Sequence, residues 1–408
     1  MTEPEKIWFN PYLPGFLEDP YPHYRQLTEQ HPVQDHPLGF WFLSRYEDVL
    51  ALLRAGQSVE VRMSEGVARQ QAETLTGEET SVMNASMLDR DPPDHTRLRA
   101  LVTKVFTRRA IAALEPMIVE LVDAALDRMA EQGSSDLVEQ LAFPLPFAVI
   151  SRMLGVPPVD SARVRELSGT LVRSLEVVGD EETERAIMAA RTELAAMTRD
   201  LVAWKRANPA DDLLTALITA EHDGQVLNED ELVAQIILLY VAGHETTVNL
   251  IANGTHALLR DPGQFDLLRE QPDLIGNAVE EFLRYDSPVQ QTRRIIVTPY
   301  TVRGVEIPVG SFVVACLAAA NRDERVFGAD AAELRLDRGK ARNHLSFGGG
   351  PHHCLGAALA RMEGQIAIGR LVHRFPELSL GGEVEYNNRI NLRGLNSLPV
   401  KVRATVPG

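Results

Sequence analysis

Cysteine is scarce in this chain: 408 residues hold two, Cys316 and Cys354. Such a pair builds no disulfide framework and suits a reducing compartment. Basic residues are outnumbered, 41 lysines and arginines against 57 aspartates and glutamates, which leaves a formal charge of −16. That balance argues against a nucleic-acid partner, which favours a basic surface. Long apolar runs are missing too. The longest, Ile236 to Ala242, is far too short for a bilayer, and Met1 to Asn10 carries glutamates and a lysine with no apolar core. These features predict no signal peptide, no membrane anchor and a cytoplasmic location. Length alone would allow two or three domains, but no linker, repeat or composition shift offers a place to cut. One domain over residues 1–408 is expected.

What the chain does have is an unusual ten-residue stretch, Phe347-Gly-Gly-Gly-Pro-His-His-Cys-Leu-Gly356. Three glycines and a proline suit neither a helix nor an interior strand, so the stretch is a shaped loop. From Leu355 to about Phe375 alanine, leucine, isoleucine and arginine recur at helical spacing without proline, so the loop opens onto a helix. Cys354 then stands at a helix N-terminus, where unpaired amides and the helix dipole favour an anion. A thiolate is a metal ligand. Gly348, Gly349 and Gly350 keep Cβ atoms away, so a flat cofactor could approach the backbone beside Phe347. Three other readings compete: an inert buried cysteine, a zinc site on His352, His353 and Cys354, and a phosphate loop. Three adjacent residues cannot wrap a tetrahedral ion, and no Gly-Lys-Ser/Thr ending follows the glycines.

Helical patterns dominate elsewhere. Gly39 to Leu43 is strand-like, and Ser44 with Glu47 predicts a capping box for a helix through Leu53. Gln57 to Met87 has poor periodicity and reads as a long connection. Asp91-Pro-Pro-Asp-His95 starts an amphipathic helix with Leu98, Leu101, Val102 and Val105 on one face and His95 and Arg99 sharing another. Arg97, Lys104, Arg108 and Arg109 join them with no acidic residue between His95 and Leu114. On an acidic chain that run reads as a docking patch for an acidic partner; for the His95 and Arg99 pair in isolation, a solvated charged face is the bland alternative.

From Ala110 to Leu217 helices are broken at Phe143-Pro-Leu-Pro146, Gly155 to Pro158, Gly179-Asp180 and Asn208-Pro209. Asn228 and Glu231 predict a capping box for a helix that runs to about Arg260, apolar on most faces and therefore buried. Inside it lies Ala242-Gly-His-Glu-Thr-Thr247. A mid-helix glycine costs about 1 kcal/mol relative to alanine, and buried polar groups need partners. A bland use exists for two of them: a back-bond from Thr246 to a preceding carbonyl, and a hydrogen-bonded core position for His244. The next helix, Asp273 to Tyr285, sets Glu281 and Arg284 three apart. Arg293-Arg294-Ile295 begins a strand, turn-bounded strands follow at Val302 to Gly310, and Gly381 to Val402 alternates as strands do.

Phe347, Gly348, Gly350, His352, Cys354 and Gly356 together resemble the heme-ligand signature of the cytochromes P450. The resemblance spans about Asp19 to Val402, with its motifs concentrated in the second half. It implies a mainly α fold with a small β region, and heme b lying between the long central helix and the cysteine-loop helix, with Cys354 as axial ligand of the iron. Ala242, Gly243, Glu245 and Thr246 match the family's oxygen-activation segment, with Glu245 and Thr246 as proton-relay residues. His95, Arg99 and Arg294, or its neighbour Arg293, match the contacts to the heme propionates. Glu281, Arg284 and Arg338 match a buried ion network. The implied reaction inserts one atom of O2 into a small or medium organic substrate, with electrons from a ferredoxin and its reductase, since no flavin or nicotinamide fingerprint occurs in a suitable context. A peroxide-using enzyme of the same fold would need no acid and threonine relay, and a non-catalytic heme protein is the reading from another class.

Overall fold

The computed structural model describes residues 7–64, 82, 85–157, 161–176 and 180–402. Most of the connection expected over Gln57 to Met87 lies outside them, as does Gly179 of the expected break at Gly179-Asp180. Two compact units are distinguished: Met1–Arg69, Val122–Ala142 and Thr246–Gly408 form one, and Gln70–Leu121 with Phe143–Glu245 the other.

The first unit holds the main sheet. Val33–His36 and Phe40–Leu43 make a hairpin; Phe40–Leu43 then runs parallel to Phe312–Cys316, which pairs antiparallel with Gln291–Ile295. Both chain halves therefore contribute. Beneath the sheet, Leu43, Val49, Leu52, Leu53, Val313, Ala315 and Leu345 pack into one apolar cluster. The helix before this core, Tyr46–Arg54, is not capped by Ser44. Its N-cap residue is Arg45, with no side-chain cap, and the Tyr46 amide donates instead to Asp323 Oδ2 at 3.1 Å. A carboxylate from 277 residues away has displaced the local capping box.

Helices build the second unit. Asp94–Val105 starts three residues later than the sequence pattern suggests, with Pro93 as N-cap. The break at Phe143 is also a beginning, since Pro144 opens the helix Pro144–Leu154 where proline's missing amide costs nothing. Asp180 caps Glu181–Ala207 by accepting the Thr183 amide. Leu167, Leu171, Ala190, Leu194, Val233 and Ile237 form the apolar core. Within it, buried Gln235 accepts from the Met87 amide and donates to the Ala85 carbonyl.

The long helix runs Glu229–Arg260 behind the expected capping box: Asn228 Oδ1 accepts the Glu231 amide at 2.9 Å, and Glu231 Oε2 accepts the Asn228 amide at 3.0 Å. Asp261 then caps Pro262–Glu270. No helix among the described residues is long and apolar enough to cross a membrane.

Candidate active site

The cysteine loop follows a backbone path that only its own residues allow. Gly348 and Gly350 sit at φ +70° and +66°, a region that side-chain-bearing residues avoid. At Gly350 space forbids a side chain as well, because a Cβ would lie 2.4 Å from the Leu53 carbonyl oxygen. The loop is thus seated on the last turn of the helix Tyr46–Arg54. The Gly348 amide donates to the Leu345 carbonyl at 2.7 Å, His353 to Gly350 at 3.1 Å and Cys354 to Phe347 at 2.9 Å, which closes the turn Gly350–His352. The helix proper is Ala357–Arg374, with Gly356 as N-cap. Cys354 precedes it by three residues and its side chain is exposed.

Phe347 anchors the loop from the side. Its ring meets His344 at 5.5 Å and His353 at 6.4 Å, and the Arg361 guanidinium lies over it at 4.5 Å. Arg361 in turn grips Glu280 with two hydrogen bonds, at 2.7 and 3.1 Å. His344 Nε2 meets Glu280 at 2.9 Å while its Nδ1 accepts the Ser346 amide at 3.1 Å, so the ring is a neutral donor to the carboxylate. Burial works to raise the Glu280 carboxyl, but hydrogen bonds from His344 and Arg361 outweigh it and bring the pKa down to about 2. None of Glu280, His344 and Arg361 was singled out from the sequence. A signal was present: Glu280 beside Glu281 gives an acidic doublet in which both side chains would be buried, and Arg361 follows Cys354 by two helical turns.

The same unit places Arg294 in the strand Gln291–Ile295, 4% exposed, with Nη1 donating to the Arg293 carbonyl at 2.6 Å. Glu281 and Arg284 are fully buried and joined by Arg338.

In the other unit His95 is buried on the helix Asp94–Val105. Burial, and secondarily the Arg99 cation, lower its pKa, so at neutral pH it is an uncharged donor beside a fixed charge. Of the expected basic run, Arg97 is already engaged, bonded through both terminal nitrogens to Glu231. Lys104, Arg108 and Arg109 remain exposed, with Lys104 donating to the Glu221 carbonyl.

The long helix has an open strip. Most of its residues are buried, yet Ala242 is exposed and Leu238, Glu245 and Thr246 are half-buried. These positions fall at i, i+4, i+7 and i+8, one helical face. Gly243 lies off that strip and has a packing use: a Cβ there would press to 3.3 Å on Ile150. His244 is fully buried; its Nδ1 donates to the Tyr240 carbonyl at 2.8 Å, and the rings of Phe143, Phe147 and Tyr240 surround it at 5.9–6.1 Å. That is a core position.

A lone exposed sulfur suits iron whose other ligands come from a macrocycle, and among the described residues no cluster of three or more His, Cys, Asp or Glu side chains is placed to hold a metal. The glycine loop is likewise a surface that a flat group can meet. The cytochrome P450 family model matches residues 178–399. Cytochrome P450 107B1 of Saccharopolyspora erythraea is 40% identical over 95% of this chain and 96% of its own length. Vitamin D(3) 25-hydroxylase of Pseudonocardia autotrophica is 41% identical over 94% of each. The structure of the Bacillus subtilis bacillaene polyketide synthase cytochrome P450 PksS superposes with a TM-score of 0.86 at 34% identity, covering 97% of this chain and all of that one. The chain belongs to the cytochrome P450 family. It is an oxidoreductase of the heme-thiolate monooxygenase class, its cofactor is heme b, and the family's reaction uses O2, an organic substrate and a redox partner.

Proposed function

We propose that the Cys354 thiolate would hold the heme iron and that the enzyme hydroxylates or epoxidises a small or medium, largely apolar organic molecule. The observation that carries this is the exposed Cys354 sulfur, held by the Phe347–Gly356 loop at the head of the helix Ala357–Arg374. When bound, heme supplies O2 activation: one oxygen atom enters a carbon–hydrogen or carbon–carbon double bond and the other leaves as water. The chain's own residues do the rest. Arg99, Arg294 and neutral His95 offer donors for the two propionate carboxylates. Phe347, Gly348, Gly350 and His352 shape the loop, while Ala242 and Gly243 keep side-chain bulk off the long helix. Glu245 collects protons and the Thr246 hydroxyl passes them on. The apolar substrate class is supported by relatives named for vitamin D(3) and for a polyketide synthase.

Thr246→Ala tests the relay. With a substrate chosen by its spin-state shift, electrons consumed per product formed are expected to rise several-fold, with hydrogen peroxide released in place of product. Unchanged coupling would overturn the relay and favour the peroxide-using alternative.

Electrons come singly from a ferredoxin fed by its reductase, in the cytoplasm. Exposed Lys104, Arg108 and Arg109 on an acidic chain support the acidic donor, and a count of only two cysteines supports the compartment. Arg109→Glu is expected to slow reduction by a ferredoxin about five- to tenfold at low ionic strength and much less at high salt. A rate indifferent to both charge and salt would remove this face as the docking site.

A further inference from the structure

The Glu280–Arg361 pair has no part in the reaction as described, yet it is built against the cysteine loop. Glu280 is 1% exposed and receives three side chains: Arg361 through two hydrogen bonds, His344 at 2.9 Å and Arg342 at 3.3 Å. They are not equal. The Arg342 side chain is 80% exposed, so water screens it, and His344 is a neutral donor because its Nδ1 accepts the Ser346 amide. Of the three side chains that meet Glu280, Arg361, 25% exposed, is the one that also has an aromatic face as partner. Its guanidinium lies 4.5 Å from the Phe347 ring centre, a distance at which a cation and a ring face attract. The Phe347 carbonyl accepts the Cys354 amide. Glu280, Arg361, Phe347 and Cys354 thus form a continuous chain of contacts, with a carboxylate and a guanidinium at its far end.

We propose that Arg361 is a positioning residue: held by Glu280 against Phe347, it places a half-neutralised positive charge behind the cysteine loop and thereby sets how strongly the Cys354 sulfur donates to iron. Stacked on a ring, Arg361 has little freedom to move its charge. The carboxylate trims that charge without cancelling its field at the loop, because the guanidinium itself lies over the Phe347 ring while the carboxylate is bonded to the guanidinium. A cation near the thiolate stabilises the reduced iron; an uncompensated carboxylate in its place stabilises the oxidised iron.

This rests on Cys354 being the iron ligand. The experiment is a spectroelectrochemical titration of purified holoprotein, with the reduced, carbon monoxide-treated spectrum recorded for each variant. At a fixed electrode potential, Arg361→Gln is expected to lower the ratio of ferrous to ferric iron roughly three- to tenfold, and Glu280→Gln to raise it by a similar factor. The double variant returns toward wild type. A merely structural pair would move both single variants in the same direction, through a loosened loop, and that outcome overturns the inference, as do two unmoved potentials. Should Arg361→Gln lose its heme, Glu280→Gln, which keeps the side chain's shape, carries the test alone by the sign of its shift. Wild-type protein without a thiolate-type band would overturn both this inference and the assignment of Cys354. A thiolate-type band with potentials that fail to move oppositely overturns this inference only.

Discussion

Cys354→Ala is expected to abolish the long-wavelength, thiolate-type Soret band of the reduced, carbon monoxide-treated protein and to eliminate monooxygenase turnover, while leaving the fold intact. Two facts separate chemistry from stability here. The Cys354 side chain is exposed, so its removal leaves no cavity in a core. The loop that carries it is held by backbone hydrogen bonds and by glycine conformations, which the substitution leaves in place. The melting temperature of heme-free protein should therefore stay within a degree or two of wild type. No other cysteine can take over. Cys316 is buried, and burial pushes its thiol up to about 12, so it stays protonated; Cys316→Ala should leave the band unchanged. An unaltered spectrum in Cys354→Ala would place the iron on another ligand and remove the basis of the assignment.

The parts of this molecule that were legible in the sequence are those whose physics is local. Asn228 and Glu231 cap the long helix because partners three residues apart meet wherever a helix starts there. The helix after Cys354 follows from periodicity, and a strand was expected at Arg293 to Ile295, although these residues end the strand Gln291–Ile295 and do not begin it. The cytochrome P450 fold, too, was recognisable from the loop Phe347–Gly356, since the glycines and the cysteine are consecutive in the chain. Failures came where a distant group intervened. Ser44 and Glu47 satisfy the same capping pattern as Asn228 and Glu231, yet Asp323 takes the amide. Arg97 was read as part of a basic run with no acid between His95 and Leu114, yet Glu231, 134 residues on, holds it. Contact with Ile150 gives Gly243 a packing use that spacing could not show, beside the role the resemblance implies. Nor could spacing reveal that Gly350 is required by the Leu53 carbonyl, or that Glu280 draws Arg361 across to Phe347. A pattern within one turn competes only with itself; a long-range partner must be brought by the fold before it can win.

Glu281→Ala should be the most destabilising single change outside the loop. Glu281 is completely buried and accepts from Arg284 at 2.7 and 2.8 Å, from Arg338 at 3.1 Å and from the Arg335 amide at 2.9 Å. Arg284 is also completely buried, and its other donors reach the carbonyls of Asn321, Ala331 and Glu333. Glu281 is thus the carboxylate that balances Arg284, and it shares Arg338 with Asp330. Removing it strands a buried cation that cannot shed its proton, at a cost of about 3–5 kcal/mol, a large share of the roughly 5–15 kcal/mol that holds a domain folded. The expected readout is a melting temperature lower by roughly 5–10 °C and a sharply reduced yield of heme-loaded protein. Asp123→Ala is the counterpart. It breaks the exposed pair with Arg370, where water already solvates both ions, and should cost under about 1 kcal/mol. Equal effects of the two variants would mean that the buried network contributes no more than a surface pair, and the structural role given to Glu281, Arg284 and Arg338 would fall.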